Sequence, residues 1–137
     1  MVSSGPRYLN SRTRWRQDVE GVEGVKIIFL VSLSGDDVID QMLVEEHKKH
    51  TDILQTSLPD GHRKLGYKIL TGYIWAAIHC PETVVLGKTD DNAVLDIEAV
   101  MEVVKMGRVK GDTIGCTVPN RNCKTLRATR PHMRGKQ

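Results

Sequence analysis

Aromatic residues are scarce in this chain: 4% of its 137 residues, with Phe29 the single phenylalanine. Its core must therefore rest on valine, isoleucine and leucine. Long apolar runs are missing too. The longest, Ile27 to Leu33, is interrupted by Ser32 and falls well short of the roughly 20 residues a membrane-spanning helix needs. No secretory pattern opens the chain, so as it stands the sequence reads as soluble and carries no address. Cysteine is limited to Cys80, Cys116 and Cys123, and none form a close Cys-x-x-Cys pair. That excludes the common zinc signatures and leaves buried or free thiols as the reading from spacing alone. No repeat or low-complexity segment is present.

Charge is segregated beneath a net +3. Residues 1–17 hold Arg7, Arg12, Arg14 and Arg16 with no acid, and residues 121–137 hold Arg121, Lys124, Arg127, Arg130, Arg134 and Lys136, again with no acid. The middle, 18–120, is left with ten basic and seventeen acidic groups, a balance of −7. The chain thus divides into a basic amino-terminal segment, a core over 18–120 and a basic tail. Basic ends suit nucleic-acid binding, but no aromatic side chain sits among the tail's basic residues to stack on bases. Solvated tails are the favoured reading, and no nucleic-acid partner is expected.

Residues 1–17 show no clear hydrophobic period; Trp15 is expected to anchor them to the core, with the arginines pairing with acids or facing an anionic ligand. After Gly21 and Gly24, Val25–Val31 is a continuous apolar run and the best candidate for a first central strand. Ser34–His50 reads as a helix capped by Ser34 with Asp37 three residues on. Its acids Asp36, Asp37 and Asp40 sit at the positive end of the dipole, and Lys48, Lys49 and His50 at the negative end. Val38, Ile39, Met42 and Leu43 form one face. Asp52–Leu54 is extended, and Pro59-Asp60-Gly61 is a turn. His62–His79 reads as a second helix, where Gly66, Gly72, Ala76 and Ala77 would let another element approach closely. Asp96–Gly107 reads as a third, with Ile97, Val100, Met101 and Val104 inward and Gly107 at C′. Thr113–Val118 is a further short strand. The alternation of strands and helices predicts an α/β layered fold with a largely parallel sheet flanked by helices.

The chemistry concentrates where Thr83-Val84-Val85-Leu86-Gly87 runs into Lys88-Thr89-Asp90-Asp91-Asn92. The apolar run predicts a strand buried on both faces. Ligands of open α/β sheets bind just outside the carboxyl ends of such strands. Oxygen groups delivered there can hold a hard divalent cation, and the cation a diphosphate. If the chain stays extended, Asp90 and Asn92 share a side and Asp91 faces away. The competing reading is a polar turn in which Asp91 or Asn92 caps the next helix.

Four stretches, in order, resemble the β-1,3-galactosyltransferase family, which includes Fringe and the β-1,3-N-acetylglucosaminyltransferases. Arg12-Thr13-Arg14-Trp15 is similar to the family's Arg-x-Thr-Trp opening, with Arg14 where Thr is usual. Val25–Val31 matches its first apolar strand. Asp52-Ile53-Leu54, Asp60, Leu65, Lys68, Trp75, Cys80 and Pro81 follow its long helix motif, although His62, Lys64 and Gly66 replace the usual Tyr, Asn and Thr. Lys88-Thr89-Asp90-Asp91-Asn92 matches its Lys-Thr-Asp-x-Asp metal motif, with Asn92 in place of the metal-ligating Asp.

The resemblance implies the donor-binding half of a GT-A nucleotide-diphosphosugar fold, from a truncated or degenerate member. It implies an inverting hexosyltransferase of protein glycosylation, moving a sugar from a UDP-sugar to an acceptor hydroxyl on a glycan or glycoprotein, with Mn2+ on the diphosphate. Asp90, Asp91, Lys68 and Arg12 would bind the donor, and Asn92 with Asp90 would meet the metal. Trp15 and Trp75 would pack. The family's Glu-Asp-Val element, which supplies the base, and the acceptor-binding half would follow Gln137. The resemblance places the protein on the lumenal side of the Golgi membrane, behind an anchor absent from this chain, where Cys80 could pair. The alternative it carries is an inactive relative acting as a binding or chaperone-like module.

Overall fold

The computed structural model describes residues 8–109 apart from Asp60 and Asn92. Four helices and two strands follow in the order α1 Leu9–Val19, β1 Phe29–Ser32, α2 Asp37–His50, β2 Ile53–Thr56, α3 Leu65–His79 and α4 Ile97–Lys105. β1 and β2 are parallel and in register from Phe29 opposite Ile53 to Ser32 opposite Thr56, with α2 as the crossover that parallel strands require. This is the expected α/β arrangement with a parallel sheet. The expected strand at Thr113–Val118, the basic tail, Cys116 and Cys123 lie outside the described residues.

The strand predicted over Val25–Val31 is shorter and shifted towards its carboxyl end. The Phe29 N–H donates to the Asp52 carbonyl at 2.7 Å and the Leu33 N–H to the Thr56 carbonyl at 3.0 Å. The ladder is thus set by where β2 lies, and among the described residues no strand lies opposite the apolar residues upstream of Phe29. Phe29, Val31, Leu43 and Ile53 join Trp15 in the buried core, with Ile27, Ala93 and Ile97 packed against it.

The three predicted helices form, with local corrections. Asp36, not Ser34, caps α2: its side chain accepts from the Val38 N–H at 2.9 Å and the Ile39 N–H at 3.3 Å. The Ser34 hydroxyl is instead engaged with the Asp36 backbone, donating to its carbonyl and accepting from its N–H. Of the predicted inward face, Leu43 is buried and Ile39 half-buried, whereas Val38 and Met42 are exposed. The helix ends on Thr51 in the left-handed region, at φ 55°. At His62–Lys64 the chain makes a 3-10 turn before α3 begins. Gly72 permits the close approach expected of it, since a Cβ there would meet Leu30 Cδ2 at 3.0 Å. Asp96 caps α4 by accepting from the Ala99 N–H at 2.9 Å. Gly107 follows with φ 65°, as the C′ position favours.

α1 is the element that hydrophobic periodicity missed. Its inward face is Ser11, Arg12, Trp15 and Arg16, two i,i+4 pairs on adjacent rows. Only Trp15 among them is apolar. The helix crosses the division drawn by charge between residues 17 and 18.

Val84–Leu86 is the main correction. It is neither strand nor core: Val84 is 88% exposed and Leu86 50% exposed, and the sheet among the described residues holds β1 and β2 alone. β-branched residues fit a pleated surface only when a neighbouring strand supplies one, and this run pairs with neither β1 nor β2.

Candidate functional site

The acidic stretch follows that exposed run and then turns. The Ala93 N–H donates to the Asp90 carbonyl at 3.1 Å, so the extended geometry that put Asp90 on one side and Asp91 on the other does not persist through the motif. The cap of the next helix is Asp96 rather than Asp91. Asn92, read as the metal ligand, lies outside the described residues. Asp90 is exposed, and its carboxylate accepts from Lys88 Nζ at 2.5 Å. That hydrogen bond holds the Asp90 carboxyl below its ordinary value. Lys88 was not singled out from sequence, although two residues before Asp90 on an extended chain it falls on the same side.

Two donors from α1 meet the backbone of this loop. Ser11 Oγ donates to the Asp91 carbonyl at 2.9 Å, and Trp15 Nε1 donates to the same oxygen at 3.1 Å. Trp15 is 4% exposed. It anchors α1 as expected, but through its indole N–H as well as its ring. Ser11 carried no sequence signal beyond its place four residues before Trp15.

The other two inward residues of α1 bind acids. Arg12 is 2% exposed and forms a fork on Glu46 of α2, Nε to Oε1 at 2.8 Å and Nη2 to Oε2 at 2.5 Å. Arg16 bridges Glu46 at 2.6 Å and both oxygens of Asp52, just before β2, at 2.6 and 2.9 Å. Its guanidinium also lies 5.1 Å from the Phe29 ring centroid, a cation–π contact. Burial opposes the Glu46 charge most strongly, yet hydrogen bonds from Arg12 and Arg16 outweigh it and hold that carboxyl below its ordinary value. Burial likewise opposes the Arg16 charge, and the Asp52 and Glu46 hydrogen bonds override it, raising Arg16 above its ordinary value. Of the two roles open to Arg12, acid pairing or an anionic ligand, the first is the one its side chain occupies.

The candidate residues therefore fall on three elements. Asp90 and Asp91 sit on the exposed loop with Lys88. Arg12 is buried against Glu46, and Lys68 is buried on α3. Trp75 is half-buried and lies against His79 with ring centroids 4.9 Å apart. Cys80 is a free, half-buried thiol. A groove of about 270 Å³ between α2 and β2, lined by Leu43, Val44, His47, Lys48, Ile53 and Gln55, includes none of the candidate residues. Among the described residues no group of three or more His, Cys, Asp or Glu side chains could hold a metal ion. The loop can still present one ionised carboxylate, and magnesium-like cations are commonly held by one or two carboxylates together with substrate phosphates.

The galactosyltransferase family model matches residues 8–133. The chain belongs to that family. Its match begins at the residue preceding α1, so the buried arginine–tryptophan face and the acidic loop fall within one galactosyltransferase unit. The chain is similar to β-1,3-galactosyltransferase 4 of Mus musculus, 32% identical over 113 residues, which cover 78% of this chain and 30% of the relative. The Homo sapiens protein of the same name is 30% identical over 135 residues, 90% of this chain and 36% of the relative. A human N-acetyllactosaminide β-1,3-N-acetylglucosaminyltransferase 4 is 27% identical over 143 residues, 96% of this chain and 38% of the relative. The chain thus spans about a third of the length of these curated relatives. No solved structure matches it significantly. Among the described residues no helix is long and apolar enough to cross a membrane.

Proposed function

We propose that this chain is the donor-binding part, centred on residues 18–120, of an inverting β-1,3-hexosyltransferase that takes its sugar from a UDP-sugar and passes it to an acceptor hydroxyl on a glycan or glycoprotein. One observation carries the reading: in a galactosyltransferase chain, an exposed Asp90 carboxylate stands on a loop whose backbone is tied to the inward face of α1. An accessible oxygen ligand with a held backbone is what a diphosphate-bound cation requires.

In this reading Asp90, with Asn92 two residues on in sequence, would hold manganese on the donor side. Manganese there supplies positive charge against the charge that builds on the departing UDP. Lys88 pairs with Asp90 and leaves an ammonium at the same edge to face phosphate oxygens. Asp91 and Lys68 belong to the donor side. Arg12 acts through the mooring of α1 rather than by touching the donor. None of the described residues is proposed as the base that takes the acceptor proton. The family's work in protein glycosylation suggests the Golgi lumen as the site of action.

Calorimetric titration of UDP with and without manganese tests the reading. Binding that requires manganese is expected, and no binding in either condition overturns it. Asn92→Asp should tighten the manganese-dependent binding. Indifference to that change would mean that the stretch is only a turn.

A further inference from the structure

We propose that Ser11 and Trp15 are positioning residues for the Asp90–Asp91 loop, fixing its conformation through the single carbonyl oxygen of Asp91. Their effect on donor affinity rests on the function proposed above; their effect on loop conformation does not.

The geometry has three parts. A carbonyl oxygen has two lone pairs, and at Asp91 two donors from one helix meet them, at 2.9 and 3.1 Å. The donors are four residues apart on α1, hence on one face, while each is separated from Asp91 by 76 to 80 positions in sequence. At its flanks Leu86 and Val94 are exposed, Ala93 packs against the core, and the run before it belongs to neither β1 nor β2. A loop that must present a carboxylate to a cation needs its backbone fixed by neighbours that do not themselves use the ligand. Ser11 and Trp15 fill that role, because both spend their only polar hydrogen on the loop backbone.

The pairing also accounts for the choice of side chains. Phenylalanine at position 15 would keep an aromatic ring in the core that Trp15 shares with Phe29 and Ile53 but could not donate. Alanine at position 11 would leave the helix intact and remove the second donor.

The test uses the full chain and the variants Ser11→Ala, Ser11→Thr and Trp15→Phe, each confirmed as folded by circular dichroism, with two readouts. The first is the carbonyl ¹³C resonance of Asp91. It is expected to move upfield in Ser11→Ala and Trp15→Phe and to stay at the wild-type position in Ser11→Thr, which keeps the hydroxyl. An unmoved resonance in both donor-deleted variants overturns the proposal, whatever the protein binds. The second is the dissociation constant for UDP with manganese. Each lost hydrogen bond is expected to weaken it about twofold to tenfold, with recovery in Ser11→Thr. Wild-type affinity in both donor-deleted variants overturns the link to the site. If the wild-type chain binds no UDP at all, the functional reading fails, and the positioning proposal is decided by the carbonyl resonance alone.

Discussion

Glu46 is where α1 is joined to the rest of the domain, and Glu46→Gln should destabilise the fold far more than a surface charge deletion does. The Glu46 side chain is 9% exposed, and that of Arg12 is 2% exposed. Among the described residues both hydrogen bonds of the Arg12 guanidinium end on Glu46, and its Nη1 already has no partner. Glutamine offers one neutral oxygen where two ionised oxygens now serve two guanidiniums, and its amide would point hydrogens at Arg12 or Arg16. Arg12 is left as a buried charge without a counter-charge. Breaking a buried pair on one side costs about 3–5 kcal/mol, a large part of the total stability of a domain this size. Asp52→Asn is the internal comparison. Arg16 would keep its 2.6 Å contact to Glu46, Arg12 would be untouched, and the expected loss is about 1–2 kcal/mol.

Urea unfolding followed by Trp fluorescence measures both, with an unchanged slope confirming that stability alone has moved. The double replacement Arg12→Met with Glu46→Leu sharpens the test, because removing both charges removes the desolvation penalty with the attraction. It should recover most of what Glu46→Gln loses. A Glu46→Gln loss below about 1 kcal/mol, the range of exposed pairs, would refute the reasoning. So would a double variant no more stable than the single one.

Two further outcomes follow from the same structure. Because the folded-state Glu46 carboxyl lies below its ordinary value of 4.5, its contribution to stability is complete above pH 4.5 and is lost as pH falls from there through its lower folded value. The wild-type urea midpoint should drop across that acid window more steeply than that of Glu46→Gln, and parallel curves would contradict the assignment. Thr51 holds φ 55°, a region that disfavours a β-branched residue. Thr51→Asn should therefore raise stability by about 0.5–1 kcal/mol in the same assay, unless the Thr51 Oγ1 to His50 carbonyl contact at 2.8 Å outweighs the strain, in which case stability falls.

What could be read from sequence was what is locally encoded. α2, α3 and α4 show themselves through helical spacing, with acidic first turns on α2 and α4 and a glycine at C′ of α4, and the parallel α/β arrangement follows from their alternation with apolar runs. α1 escaped because a hydrophobicity pattern scores Arg12 and Arg16 as outward, whereas both are turned in to meet Glu46 and Asp52, acids 30 or more positions away. The signal available was the pair of i,i+4 couples, Ser11 with Trp15 and Arg12 with Arg16, but nothing local says that the arginines have partners. Val84–Leu86 failed in the opposite direction. Its composition says strand, yet a strand exists only beside another, and this run pairs with neither β1 nor β2. The acidic motif was legible as oxygen chemistry and, in the competing reading, as a polar turn, but the two donors that reach Asp91 from α1 were not.

The buried ion pairs and the loop contacts are better understood as one device than as two. A guanidinium fork on a carboxylate has one satisfactory geometry, so the Arg12–Glu46 pair fixes the rotation of α1 about its own axis more tightly than an aliphatic contact would. Rotating the helix by one residue, about 100°, would carry both arginines away from Glu46 and also take Trp15 Nε1 and Ser11 Oγ off the Asp91 carbonyl. An apolar face on α1 could supply comparable stability, since buried pairs are poor contributors to it, but it would tolerate small slips that the loop would feel as a displaced carboxylate. The polar inward face is costly to bury, and what it provides in return is a single orientation for the helix that holds Asp91.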